Sequence, residues 1–231
     1  MMWRSHMVIG ASTWLAAQAL TGPLTATTLD SRQRACGAVI AAGGALLCDL
    51  DTPTSRLAQS LGPLTRLAAR AIGRVFGGHR HGTHSLAFCA LVAAISALAL
   101  SDCEVVRLGA GVTLTVGQLV ALAIAYVACA LSVTLLTGLR GARAAVLTAG
   151  LVALGAGMTP APAELVGAAL TIGCASHLAA DLLTPEGIAP LWPISQRRLS
   201  LRLIRRTGDH RETLVVLAVA LVTLALAGGY P

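Results

Sequence analysis

The chain has 231 residues, of which 55% are hydrophobic and 12% charged, against about 25% charged in soluble domains. Its 17 basic residues are all Arg, and with ten acidic residues they leave a net charge of +7 at only 3% aromatic content. These values exclude an ordinary soluble domain. The absence of a recognition motif or aromatic platform beside the Arg excludes a nucleic-acid module. None of the six cysteines, Cys36, Cys48, Cys89, Cys103, Cys129 and Cys174, forms a C-x-x-C pair, so they read as small buried hydrophobes rather than a disulfide framework.

A bilayer-crossing helix needs about 20 apolar residues, with a range of about 17–25. Met7–Leu20, preceded by His6 and the basic Arg4, and Ala35–Leu47 are the weakest runs and carry several Gly, Ser and Thr. They read as short spans or as core helices shielded by neighbours. The first is not a cleaved signal peptide. Asp49 and Asp51 close the second run, where an extended or turn-like segment would point both carboxylates the same way.

Between Thr54 and Gly77 the spacing of Leu57, Leu61, Leu64, Ala68, Ala71 and Val75 predicts an amphipathic helix with Arg66, Arg70 and Arg74 as a basic stripe. Such a helix lies in the headgroup layer or caps the bundle as a surface helix. Gly77-Gly78 is expected to end it and aim His79 inward. His84–Leu100 follows as a span, with Thr83 as its expected cap. Val116–Leu136, the short Ala144–Met158, Leu165–Leu183 and Thr213–Ala227 complete the apolar runs. Thr184–Arg211 holds three Pro and then a dense Arg run, and is expected to be a loop followed by a short basic interfacial helix. The fold class is therefore all-α: a polytopic membrane helix bundle with an interfacial amphipathic helix. Four spans pass on length alone and up to seven in all. Residues 1–231 form a single integral membrane domain, with 52–78 interfacial and 185–211 an Arg-rich cytoplasmic loop.

With seven spans and the N-terminus inside, 14 Arg fall on cytoplasmic segments and three, Arg32, Arg34 and Arg107, on outer ones, as the positive-inside bias requires. His6, the Asp49/Asp51 pair, His79 with His84, and His177 with Asp181 then all lie on the cytoplasmic side. The Arg distribution did not impose that agreement.

Imidazole nitrogens and carboxylate oxygens are the ligands of hydrolytic metal sites. His177 and Asp181 are four apart and share one helical face, and ionisable groups within a span are expensive to place there. Two adjacent carboxylates repel unless a cation joins them. His6, Asp49, Asp51, His79, His84, His177 and Asp181 are the seven candidate ligands. Seven exceeds one four-coordinate zinc, so a dinuclear site is the more natural expectation. Asp51 is the expected proton acceptor. Arg80 is expected to hold a substrate oxyanion through its planar fork, or else to pair with Asp49 or Asp51 as a buttress. His81 reads as ligand, proton shuttle or exposed residue, and His210 as outside the site. The classes left open are a metal-dependent hydrolase, a protein with a structural metal, and a metal transporter. Clustering of the ionisable groups at one end of the spans disfavours the transporter.

The stretches Gly44–Asp51, Gly78–Leu86 and Ser176–Pro185 through Leu191-Trp192-Pro193, together with the N-terminal His6, resemble the YdjM family over roughly residues 1–195. Its members are bacterial inner-membrane proteins described as LexA-regulated metal-dependent hydrolases. Cys48 stands where the family has Pro, and His81-Gly82 where it has Gly followed by a variable residue. The resemblance implies an inner-membrane location, a divalent metal and hydrolysis. Zinc is the expected ion, and the depth and Arg-rich rim of the site point to membrane lipids as surroundings and to a lipid or phosphoester as substrate. Reporter fusions are expected to place the N-terminus and Arg197–Arg211 in the cytoplasm; a periplasmic Arg197–Arg211 would overturn the shared-side arrangement.

Overall fold

The computed structural model describes residues 1–21, 29–55, 58–59, 63–99, 104–108, 112–115, 126, 133, 146–147 and 163–228. The described helices are α1 (Trp3–Thr21), α2 (Ser31–Gly44), α3 (Pro63–Val75), α4 (Leu86–Ala99), α5 (Ala163–Leu182) and α6 (His210–Gly228). Two 3-10 turns, Leu47–Asp51 and Gly82–His84, carry chemistry between them. Two short antiparallel strands, β1 (Glu104–Leu108) and β2 (Val112–Thr115), pair with each other, an addition to the all-α expectation.

Among the described residues, two helices are long and apolar enough to cross a membrane, through Leu165–Leu182 and His210–Gly228. At 1.5 Å per residue the first is about 27 Å long, close to the hydrocarbon thickness of about 30 Å. Most of α6 is exposed, including Leu214, Leu217, Leu221, Val222 and Leu224. Water would make such a surface unfavourable, whereas lipid makes it ordinary. The run expected at His84–Leu100 is a helix of only 14 residues, because Gly82–His84 is wound as a 3-10 turn and Ser85, not Thr83, caps it: the Phe88 amide donates to Ser85 Oγ at 3.2 Å. The expected runs Val116–Leu136 and Ala144–Met158 lie almost wholly outside the described residues.

Helix α1 packs on α2, α5 and α6, α2 on α5, and α4 on α5. Trp14 is buried among Ile40, Ala41, Leu165, Val166, Ala169 and Leu170 and donates its indole N–H to the Arg34 carbonyl at 3.0 Å. Asp30 caps α2 in a capping box with Gln33. Glu212 at the start of α6 accepts hydrogen bonds from Ser5 Oγ, the Met2 amide and the Gly208 amide, which fixes α6 against the start of α1. The α2–α5 contact is close because both faces are small: a Cβ on Gly173 would lie 2.3 Å from the Ala41 carbonyl oxygen and 2.8 Å from the Ala45 nitrogen.

Three expectations change. The amphipathic helix begins at Pro63, a residue suited to a first helical position, rather than near Thr54, where the chain makes turns through Ser55. Ala68, Ala71 and Val75 face outward and Ala69 inward. No helix forms between Leu183 and Asp209. That segment is clamped to the end of α5 by bonds from the Leu201 amide to the Leu182 carbonyl, 2.8 Å, and from the Ile204 amide to the Leu183 carbonyl, 3.0 Å.

Gly173→Ala is expected to lower the melting temperature by several degrees, from overpacking worth about 1–3 kcal/mol. Gly228→Ala, with nothing within 4 Å of its new Cβ, should leave it unchanged. Circular-dichroism melts of both purified variants check this.

Candidate metal centre

Four chain segments bring the site together. Helix α1 supplies His6, the turn after α2 supplies Asp49 and Asp51, the segment after α3 supplies His79 and His84, and α5 supplies His177 and Asp181. Gly77 and Gly78 adopt positive φ values of 78° and 90°, a turn that glycine makes without steric cost, and they end α3 as expected. Three groups of side chains have ligand atoms within 4.8 Å of one another and could hold a metal ion: His6/His177/Asp181, Asp49/His84/His177 and Asp51/His79/His84. Their union is the set of seven residues expected from the sequence, linked through His177 and His84.

The hydrogen bonds assign a direction to each imidazole. His177 Nδ1 lies 2.5 Å from the Ala45 carbonyl, an acceptor, so Nδ1 carries a proton and Nε2 is the ligand atom of the neutral ring. His84 Nδ1 lies 3.1 Å from Thr83 Oγ1, whose hydroxyl donates to Asp51 Oδ2 at 2.5 Å; Nε2 is the ligand atom of the neutral His84 ring too. The two Nε2 atoms face each other at 3.2 Å. Asp181 Oδ2 is 3.4 Å from His177 Nε2 and 3.6 Å from His84 Nε2. Asp49 Oδ1 is 3.8 Å and 3.7 Å from the same two nitrogens. A tetrahedral zinc with bonds of about 2.0–2.1 Å separates its ligand atoms by about 3.3–3.4 Å. The donor set therefore fits a divalent cation between the two Nε2 atoms, with Asp181 and Asp49 each beside both of them.

Asp181 divides its work. While Oδ2 faces the two Nε2 atoms, Oδ1 takes Arg80 Nη2 at 3.2 Å and His6 Nε2 at 3.4 Å. Arg80 also donates through Nη1 to Thr184 Oγ1 at 2.8 Å and the Gly187 carbonyl at 3.2 Å. The carboxylate pairing left open by the sequence is thus made with Asp181, not with Asp49 or Asp51. Arg80 keeps a left-handed φ of 64°, a backbone state costing about 1–2 kcal/mol outside glycine, and these bonds hold it there. The His6 ring stacks on His177 at 3.8 Å, and its Nδ1 is buried with no hydrogen-bond partner among the described residues.

Asp51 is ringed by donors. Besides Thr83, its Oδ1 takes Thr52 Oγ1 at 2.9 Å and His79 Nδ1 at 3.0 Å. Burial alone would raise its carboxyl; the bonds from His79, His84 and Thr83 outweigh burial and hold it well below the usual carboxylate range. Asp49 is likewise raised by burial, and His177, His84 and His6 outweigh burial and hold it below the usual carboxylate range. The 3-10 geometry of Leu47–Asp51 turns the two carboxylates apart, so they flank the two edges of the His84 ring instead of pointing the same way. Asp49 is 23% exposed and His79 45%, while His84, His177 and Asp181 are buried. The centre is therefore open on the Asp49–His79 side.

Sequence reasoning passed over Thr52, Thr83 as a ligand-orienting hydroxyl, Thr184 and the Ala45 carbonyl. The signal was available only for Thr83 and Thr52, each adjacent to a candidate ligand. His81 is exposed, its Nδ1 against the His79 carbonyl. His210 is exposed and paired with Asp209 at 2.6 Å.

The YdjM inner membrane protein family matches residues 1–230, essentially the whole chain. No curated protein and no solved structure matches it. His177→Ala and Asp49→Ala are expected to abolish bound metal. Arg80→Lys, which removes the fork on Asp181, should weaken metal binding by about 10–100-fold. His210→Ala should bind as wild type does. Chelator-competition titration measures all four, and equal affinity throughout would dissolve the site as drawn.

Proposed function

The chain belongs to the YdjM inner membrane protein family, and from that premise we propose that it is a membrane-embedded metal-dependent hydrolase acting on a phosphoester or lipid-like substrate at the cytoplasmic face. The observation that carries this reading is the pair of facing Nε2 atoms of His84 and His177, 3.2 Å apart, beside two carboxylate oxygens and open on one side. The fold in this reading is a polytopic bundle of the bacterial inner membrane with its N-terminus in the cytoplasm. A divalent ion held there, zinc by its donor set, supplies Lewis-acid activation of water and of the scissile group.

The residues of the chain do the rest. Arg80 and His6 hold Asp181 Oδ1 so that Oδ2 points into the centre. Thr83 and Ala45 hold the Nδ1 sides of His84 and His177, a supporting shell of the kind that fixes ligand orientation. Because His84 Nδ1 and Asp51 are satisfied by their own hydrogen bonds, the first ion does not require a second. Asp51 then serves to orient His79, whose ring reaches the open side and is placed to accept a proton from the attacking water. This assigns proton transfer to the His79–Asp51 pair instead of Asp51 alone.

The rival is a structural metal, favoured by the near-complete burial of three of the four ligands, since structural sites are closed and catalytic ones keep a position open. Metal analysis of the purified chain, with a phosphoester and lipid substrate panel, separates the two. One ion per chain is expected, with turnover abolished by chelation and restored by the metal. His79→Gln should keep the ion and lose about 10²–10⁴-fold in turnover. Two ions per chain would restore the dinuclear arrangement, and a bound ion without turnover on any ester would leave the structural role.

A further inference from the structure

Two exposed surfaces that the metal centre does not use meet at one end of the molecule. On α3, Arg66, Arg70 and Arg74 form one exposed stripe, and Leu67, Ala71 and Val75 form the next. The inner stripe is packed: Ala69 is fully buried, and a Cβ on Gly73 would come within 2.7 Å of the Asp51 carbonyl oxygen. The second surface is the segment between α5 and α6. Leu191 and Ile194 are exposed, Ile194 at 92%. Leu199, Leu201 and Leu203 then point outward at alternate positions of an extended stretch, while Ser200 and Ile204 turn inward. Ser200 Oγ donates to the Thr184 carbonyl at 2.5 Å, Ile204 is fully buried, and Ile188 and Leu199 exchange backbone bonds. The outward leucines are thus held in a fixed row. Arg197, Arg198, Arg202, Arg205 and Arg206 are exposed among them. The acidic residues of the segment are Glu186, 3.9 Å from Arg80, and Asp209, paired with His210. The two surfaces join where Phe76 meets Trp192, ring centroids 5.8 Å apart, and where the Leu86 amide donates to the Pro190 carbonyl at 2.9 Å.

We propose that α3 and residues 191–206 form one docking face for the anionic headgroup layer of the same membrane that α5 and α6 enter. The leucines and Ile194 sit at the headgroup–acyl boundary, and the guanidinium groups bind lipid phosphates, which match their planar fork. The placement argues for this occupant. Residues 191–206 run between the end of one candidate span and the start of the other, where the chain leaves the apolar layer. Polybasic segments next to spans are drawn to anionic lipid. A second copy of the chain would set like charge against like charge, and a nucleic acid would leave the row of leucines uncovered. The proposal holds whether or not the centre is catalytic.

The test uses the full chain in lipid nanodiscs. Ile194→Trp and Leu201→Trp add a reporter on the exposed row. Their added emission is expected to be quenched by phosphatidylglycerol brominated high on the acyl chain and protected from aqueous iodide. Emission quenched by iodide and not by bromine would place the row in water. Emission shielded from both would place it against protein. Either result overturns the proposal. Separately, native mass spectrometry should show the wild type retaining phosphatidylglycerol over phosphatidylcholine. The triple variant Arg197→Gln/Arg198→Gln/Arg202→Gln should lose at least about tenfold of that preference; an unchanged preference would also overturn it. Should the triple variant fail to fold, the tryptophan readout decides alone.

Discussion

The arrangement turns on two imidazole nitrogens that face each other between carboxylates. His84 Nε2 and His177 Nε2 are 3.2 Å apart, and the bonds on the far side of each ring, to Thr83 and to Ala45, aim those two nitrogens at the centre. Most of the local structure serves this confrontation. The small-residue contact of α2 with α5 puts the Ala45 carbonyl within reach of His177. The 3-10 turn at Leu47–Asp51 sets one carboxylate at each edge of His84. Two carboxylate oxygens beside the pair supply the negative charge that a divalent ion held there would balance.

The protein's edges follow from the same economy of polar groups. Among the described residues, the Asp, Glu, Arg and His side chains either meet at the centre or stand at the surface. Glu212, an exception, is satisfied by three donors from the start of α1 and the preceding turn. This ties the largely exposed α6 to the segment that carries His6.

The seven clustered residues were legible because His and Asp in so apolar a chain have few other places to be satisfied. Chain order and the four-residue spacing of His177 and Asp181 then narrowed the partners. The backbone between them was less legible. Hydrophobic run length does not distinguish a helix from a helix preceded by a tight turn, so His84 was expected to be the start of a span. The alternation of Leu with polar residues over 199–203 has the period of an extended chain, yet Arg density suggested a helix. Pro63 was the stronger marker for the start of α3 than the apolar spacing around it. The Arg80–Asp181 pair joins residues 101 positions apart, and no local pattern announces such a partner.

The division of labour at Asp181 narrows what chemistry that position can tolerate. Its two oxygens must both accept: Oδ1 from Arg80, Oδ2 toward the two Nε2 atoms and whatever cation they share. Asparagine has the same shape but offers one acceptor and one donor. Turned one way it presents hydrogens to Arg80, and turned the other it presents them to the centre. Glutamate keeps both acceptors but adds a methylene to a fully packed helix face. The position is therefore isosteric with its amide and still not interchangeable with it, because the amide loses both the second acceptor and the negative charge that faces Arg80.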